Sequence, residues 1–230
     1  MLFYNFIFRF IFKSNRLNYL YSKKFLTLIG LAVFLMIFAS VSNGVAADGF
    51  WQEELEKAQQ NFEEDKTLLS RYRLAISRAN TGYLQETYEM IDDFAEKFDI
   101  NKLEQEIAFE LRLAELGSEN LMYLNYAAFF YSLKENHQKS VEFFSRISEV
   151  DNSNIWPLNY KALTLIEELK EYERALEVLD EALNIEENDY IYLLQGLAHY
   201  RQGNYLRAIN SLRQGRSKLD ELEEKWWLND

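Results

Sequence analysis

Two histidines and several paired carboxylates are the only groups in this 230-residue sequence with evident catalytic capacity. Their spacing does not use it. His137 and His199 are 62 positions apart and there is no Cys, so the His and Cys ligands that a zinc site draws on are missing. Asp151-Asn152-Ser153-Asn154 begins like a calcium loop. It lacks the central Gly, and Ala162 stands where a bidentate Glu is needed. The same residues suit a loop, with Asn154 capping the next helix and Pro157 in its first turn. Glu53-Glu54, Asp92-Asp93 and Glu167-Glu168 have the composition for acid–base work. They lie in strings of other charges, the pattern of a solvated helix face. No Gly-rich phosphate loop is present. The sequence therefore offers no catalytic residue, no metal site and no cofactor. A hydrolase acting on cell-wall polymer is the weakest reading, and it needs a close carboxylate pair in a deep pocket.

The elements that would position any site are helices. One Pro and eight Gly are too few for a turn-rich β fold, and 48% hydrophobic residues exclude disorder. Internal similarity is the strongest signal. Tyr172, Ala175, Leu176, Leu179 and Ala182 recur as Tyr205, Ala208, Ile209, Leu212 and Gly215, at an offset of 33. His137, Ser140, Val141 and Phe144 form a weaker copy, 35 residues before Tyr172. Apolar helical stretches at 122–133, 158–169 and 191–200 precede the three copies, separated from them by short polar turns. Ser140, Ala175 and Ala208 are small, as close helix contact requires. Helices are also expected near 50–64, 66–80, 83–98 and 101–116. Leu84, Tyr88, Ile91 and Phe94-Ala95 suit the second helix of a worn repeat whose first is 68–79. Leu219, Leu222 and Trp226 share one face of an expected capping helix, 218–227.

This pattern resembles the tetratricopeptide repeat family. The resemblance runs over about 121–219, with Tyr192, Gly196, Tyr200, Gly203 and Tyr205 in the last unit. The closing Pro of the family is absent from all three units. The resemblance implies an all-α, right-handed superhelical solenoid of antiparallel helix pairs. It also implies a groove lined by the first helices, holding a peptide or protein partner. Its positions here are Asn125, Phe129 and Leu133; Tyr160, Thr164 and Glu167; and Tyr190, Leu193, Leu197, Tyr200 and Arg201. An exposed strip this aromatic marks an interaction surface, unless superhelical winding or the N-terminal helices bury it. The Lys and Asn clamp by which some members grip a peptide carboxylate is not matched. An apolar peptide or partner helix is expected instead, and Tyr160→Ala with Leu193→Ala is expected to abolish its binding without loss of helicity. Self-association through the same strip is open.

Charge divides the chain. Residues 1–47 carry five basic and no acidic residues, leaving 20 basic against 37 acidic groups, a net of −17, for the other 183. An acidic body of this kind repels nucleic acid. Lys23-Lys24, the apolar run Phe25–Val41 and Val45-Ala46-Ala47 have the layout of a secretory signal cleaved after Ala47. An uncleaved anchor is the rival, and in it residues 1–47 are the only membrane contact. Either way residues 48–230 are expected outside the cytoplasm, as a periplasmic, cell-envelope or extracellular scaffold or a membrane-tethered chaperone. The expected divisions are 1–47, 48–120 with a degenerate repeat, 121–219 with three repeats, and 220–230 ending the cap.

Overall fold

The computed structural model of the chain describes residues 49–83, 87, 90, 91, 94 and 98–215. The leader at 1–47 and the capping segment at 218–227 lie outside the described residues, as do Leu84, Tyr88 and Ala95.

Among the described residues every regular element is helical. They are α1 (Gly49–Asp65), α2 (Leu68–Ala79), α3 (Ile100–Glu106), α4 (Ala108–Glu115), α5 (Leu121–Leu133), α6 (His137–Val150), α7 (Trp156–Thr164), α8 (Tyr172–Ile185), α9 (Asp189–Arg201) and α10 (Tyr205–Gln214). A π-helical turn, Leu165–Leu169, prolongs α7. Thr87, Met90, Ile91 and Phe94 are also helical. The expected single helix at 101–116 is divided at Ile107, whose backbone relaxes to φ −109°, ψ 13°. Ile107 N still donates to Leu103 O (3.0 Å) and Leu111 N to Ile107 O (2.9 Å), so the axis bends without breaking.

Side-chain caps start most helices. Thr67, Asp99, Asn120, Asn136 and Asn188 each accept a backbone N–H from the first turn they precede. Asn154 Oδ1 takes Trp156 N at 3.0 Å, with Pro157 in the first turn of α7.

Helices pair through a common turn. Two residues before α6, α8 and α10 the backbone is left-handed, at Glu135 (φ 57°), Lys170 (φ 59°) and Gly203 (φ 81°). Asn136 N reaches back to Tyr131 O and Asn204 N to His199 O, closing the preceding helix. Only Gly adopts that conformation without a Cβ penalty. Lys170→Gly is therefore expected to raise unfolding free energy by about 1 kcal/mol, measured as an increased urea midpoint at unchanged slope. Lys66 (φ 47°) holds the same place before α2. The same turn follows α2: Gly82 is left-handed (φ 85°) and Tyr83 N reaches back to Arg78 O at 3.1 Å, so α2 turns back on α1 and also ends at the join expected between 68–79 and 83–98.

The small positions are buried where helices meet: Ser140, Ala175 and Ala208 have at most 3% of their surface exposed. The 35- and 33-residue offsets differ in one place. Five residues join α6 to α7 and three join α8 to α9.

Candidate functional site: the row of first helices

The eleven groove positions fall on α5, α7 with its π turn, and α9. Six of them are buried: Asn125, Phe129, Thr164, Tyr190, Leu193 and Leu197. Leu133, Tyr160, Glu167, Tyr200 and Arg201 keep partial exposure. Leu193 has no exposed surface, so Leu193→Ala removes core packing and does not test binding at constant fold, contrary to expectation.

In the first row, the N-terminal helices cover Asn125. Asn80, at the end of α2, donates from Nδ2 to Asn125 Oδ1 at 2.8 Å. Asn125 Nδ2 in turn donates to Leu121 O at 2.9 Å. Tyr72 of α2 donates from its phenol to Tyr126 O at 2.8 Å, and the two rings are 5.6 Å apart. Burial pushes the Tyr126 phenol up to about 12, against the pull of Arg73.

The extra two residues between α6 and α7 serve the same contact. Asp151 Oδ2 accepts Trp51 Nε1 of α1 (2.9 Å) and Asn154 Nδ2 (3.1 Å). Asn154 Nδ2 also reaches Asn80 Oδ1 at 3.2 Å. Trp51, Asp151, Asn154, Asn80 and Asn125 are therefore one hydrogen-bonded chain joining α1, α2, α5 and the α6–α7 loop. None but Asn125 was a site candidate from sequence. The longer 35-residue offset was the available signal. The residues that resembled a calcium loop spend their oxygens on Trp51, Asn154 and the α7 cap.

In the second row, Tyr160 packs against Phe129 (5.1 Å, edge-on) and Phe144 (5.9 Å, stacked). Its phenol oxygen is buried without a hydrogen bond. Burial pushes this phenol far up. The Thr87 hydroxyl is close enough to oppose that shift, but it spends its hydrogen on Tyr83 O at 2.7 Å.

Between the second and third rows, Arg201 grips both carboxylate oxygens of Glu167, at 2.7 and 2.9 Å. Glu167 sits in the π turn, which widens the helix there. The fork joins successive first helices 34 residues apart, in the planar geometry only Arg supplies. Tyr200 beside it stacks edge-on against Tyr205 at 5.8 Å.

The histidines serve separate elements. His137 Nε2 faces Glu168 at 3.5 Å, and His199 Nδ1 is 3.4 Å from Gln202. Among the described residues no helix is long and apolar enough to cross a membrane.

No family model matches the chain. Over 96 residues it is 33% identical to a TPR repeat-containing protein of Methanocaldococcus jannaschii, a match covering 40% of this chain. It spans 17% of that relative's length. Among solved structures it is similar to MamA MSR-1 C2, with a TM-score of 0.42 and 14% identity, over 77% of this chain and 89% of that one.

Proposed function

We propose that this chain, whose repeats are of the tetratricopeptide type, is an exported, non-catalytic scaffold or adaptor that holds a protein partner along its row of first helices. The resemblance implies that its three repeats at 121–219 stack as a right-handed superhelix. The helical region before them supplies its own hairpin to the first row.

The observation that carries this reading is the seat of Asn80 on Asn125. It supports a surface that receives polypeptide through a buried amide pair. The partner's share lies further along, where Glu167, Tyr200 and Arg201 remain partly exposed. Tyr200 is the anchor, since Tyr combines a large apolar face with a polar tip. The Glu167–Arg201 fork fixes the spacing between the two helices that flank it.

A photo-reactive residue at Tyr200, introduced in the living cell, tests the reading. One defined protein is expected in the crosslinked product, and none with the probe at exposed Glu177 on α8. Equal capture at both positions, or none at Tyr200, overturns the assignment. The mass of the accumulated protein separates a released scaffold from a tethered chaperone or assembly factor, because cleavage after Ala47 makes Asp48 the first residue.

A further inference from the structure

Three helices, α4, α6 and α8, finish on an exposed aliphatic side chain. Leu116 closes α4 with 74% of its surface exposed, Val150 ends α6 with 41%, and Ile185 ends α8 with 39%. The three are separated by 34 and 35 residues, close to the repeat length. A side-chain contact links the ends of α4 and α6, and a shared lysine lies near the ends of α6 and α8. Arg146, one turn before Val150, donates to Ala114 O (2.7 Å) and Ser118 O (3.0 Å), on either side of Leu116. Lys161 lies within electrostatic reach of both Glu149, beside Val150, and Glu181, one turn before Ile185.

Exposed aliphatics at helix ends, spaced near the repeat length, form a ladder that a packing argument does not require. Scattered single apolar residues need no explanation, but an aligned set does. The surrounding charge says what would lie on it. Within three positions of the three side chains stand Glu115, Glu119, Glu149, Asp151, Glu186 and Glu187, and no Lys or Arg. Of the nearby cations, Lys139 pairs with Glu115, Arg146 holds the end of α4, Lys161 is partly buried near Glu149, Glu181 and Arg174, and Arg112 is exposed one turn before Leu116, so carboxylates still outnumber cations along the edge. A second copy of so acidic a body is repelled from such an edge.

We propose that the Leu116–Val150–Ile185 edge is a second docking surface, separate from the row of first helices, for a basic amphipathic helix of a partner protein. Its apolar stripe would cover the ladder, and its Lys or Arg flanks would face the carboxylates.

The test uses the protein in the form the cell accumulates and a synthetic Leu/Lys peptide with helical amphipathic spacing. A Leu/Glu peptide and a scrambled Leu/Lys peptide are the controls. The Leu/Lys peptide is expected to bind, with affinity falling as salt is added, and neither control to match it. The triple variant Leu116→Ser, Val150→Ser, Ile185→Ser is expected to lose at least about tenfold in affinity with its thermal midpoint retained. Leu206→Ser, at an 82% exposed position on α10, is expected to bind as the unchanged protein does. The proposal is overturned if the triple variant binds normally or if Leu206→Ser loses as much. It is also overturned if the protein dimerises and the triple variant is monomeric, since the edge is then an interface between copies.

Discussion

Trp51→Ala is expected to lower the unfolding free energy of residues 48–230 by about 3–5 kcal/mol. The indole is fully buried, although it lies in the first turn of the first described helix. Its ring buries on the order of 150–250 Å², worth about 25 cal/mol per Å² when withdrawn from water. Its Nε1–H supplies one of the two donors on Asp151 Oδ2. Domains of this size commonly hold only about 5–15 kcal/mol in total, so the substitution removes a large part of it. Trp51→Phe separates the two contributions. It retains most of the ring and loses the donor, at an expected cost of about 1–2 kcal/mol. Urea unfolding at constant slope measures both. A loss under about 1 kcal/mol for Trp51→Ala would place α1 outside the cooperative unit.

That a residue so near the start of the described fold anchors a loop 100 positions later was beyond sequence periodicity. Periodicity reports which residues of a helix share a face, and there it served well. The first helices α5, α7 with its π turn, and α9 lie within about two residues of expectation, because their apolar stripes and Asn caps agree with one another. It does not report what lies against that face. Asn125 and Phe129 lie one turn apart on α5, yet Asn125 is buried against Asn80 of α2, 45 residues upstream, and Phe129 against Phe144 and Tyr160. The register before α5 was hidden for a different reason. The turns after α1 and α2 have the same left-handed residue as the later turns, at Lys66 and Gly82, but five positions on they have Arg71 and Thr87 where the later units have Ser140, Ala175 and Ala208. Arg71 spans the rings of Phe62 (5.1 Å) and Phe98 (5.2 Å), a substitute for close packing that no small-residue pattern detects.

Asn80→Leu is expected to cost about 2–4 kcal/mol, although Leu matches Asn in size. The lost bonds matter less than the groups they leave behind. Asn125 Oδ1 loses its donor inside the protein, and Asn154 Nδ2 keeps only Asp151. Each buried polar group left without its partner costs about 1–3 kcal/mol. Asn125→Leu alone should be similarly damaging, because it leaves one hydrogen of Asn80 Nδ2 without an acceptor, the other still going to Ile76 O, and also removes the bond to Leu121 O. The two changes together should cost less than their sum by about 1–2 kcal/mol, since neither then leaves the other unpaired. Additivity within about 0.5 kcal/mol would mean the 2.8 Å amide pair contributes no coupling. The same variant bears on function. The α1–α2 hairpin covers the first row through this pair, so weakening it should free that row for a partner without touching Tyr200. Crosslinking from Tyr200 should then persist in Asn80→Leu, and a photo-reactive residue at Leu133, silent in the unchanged chain, should begin to capture the same protein.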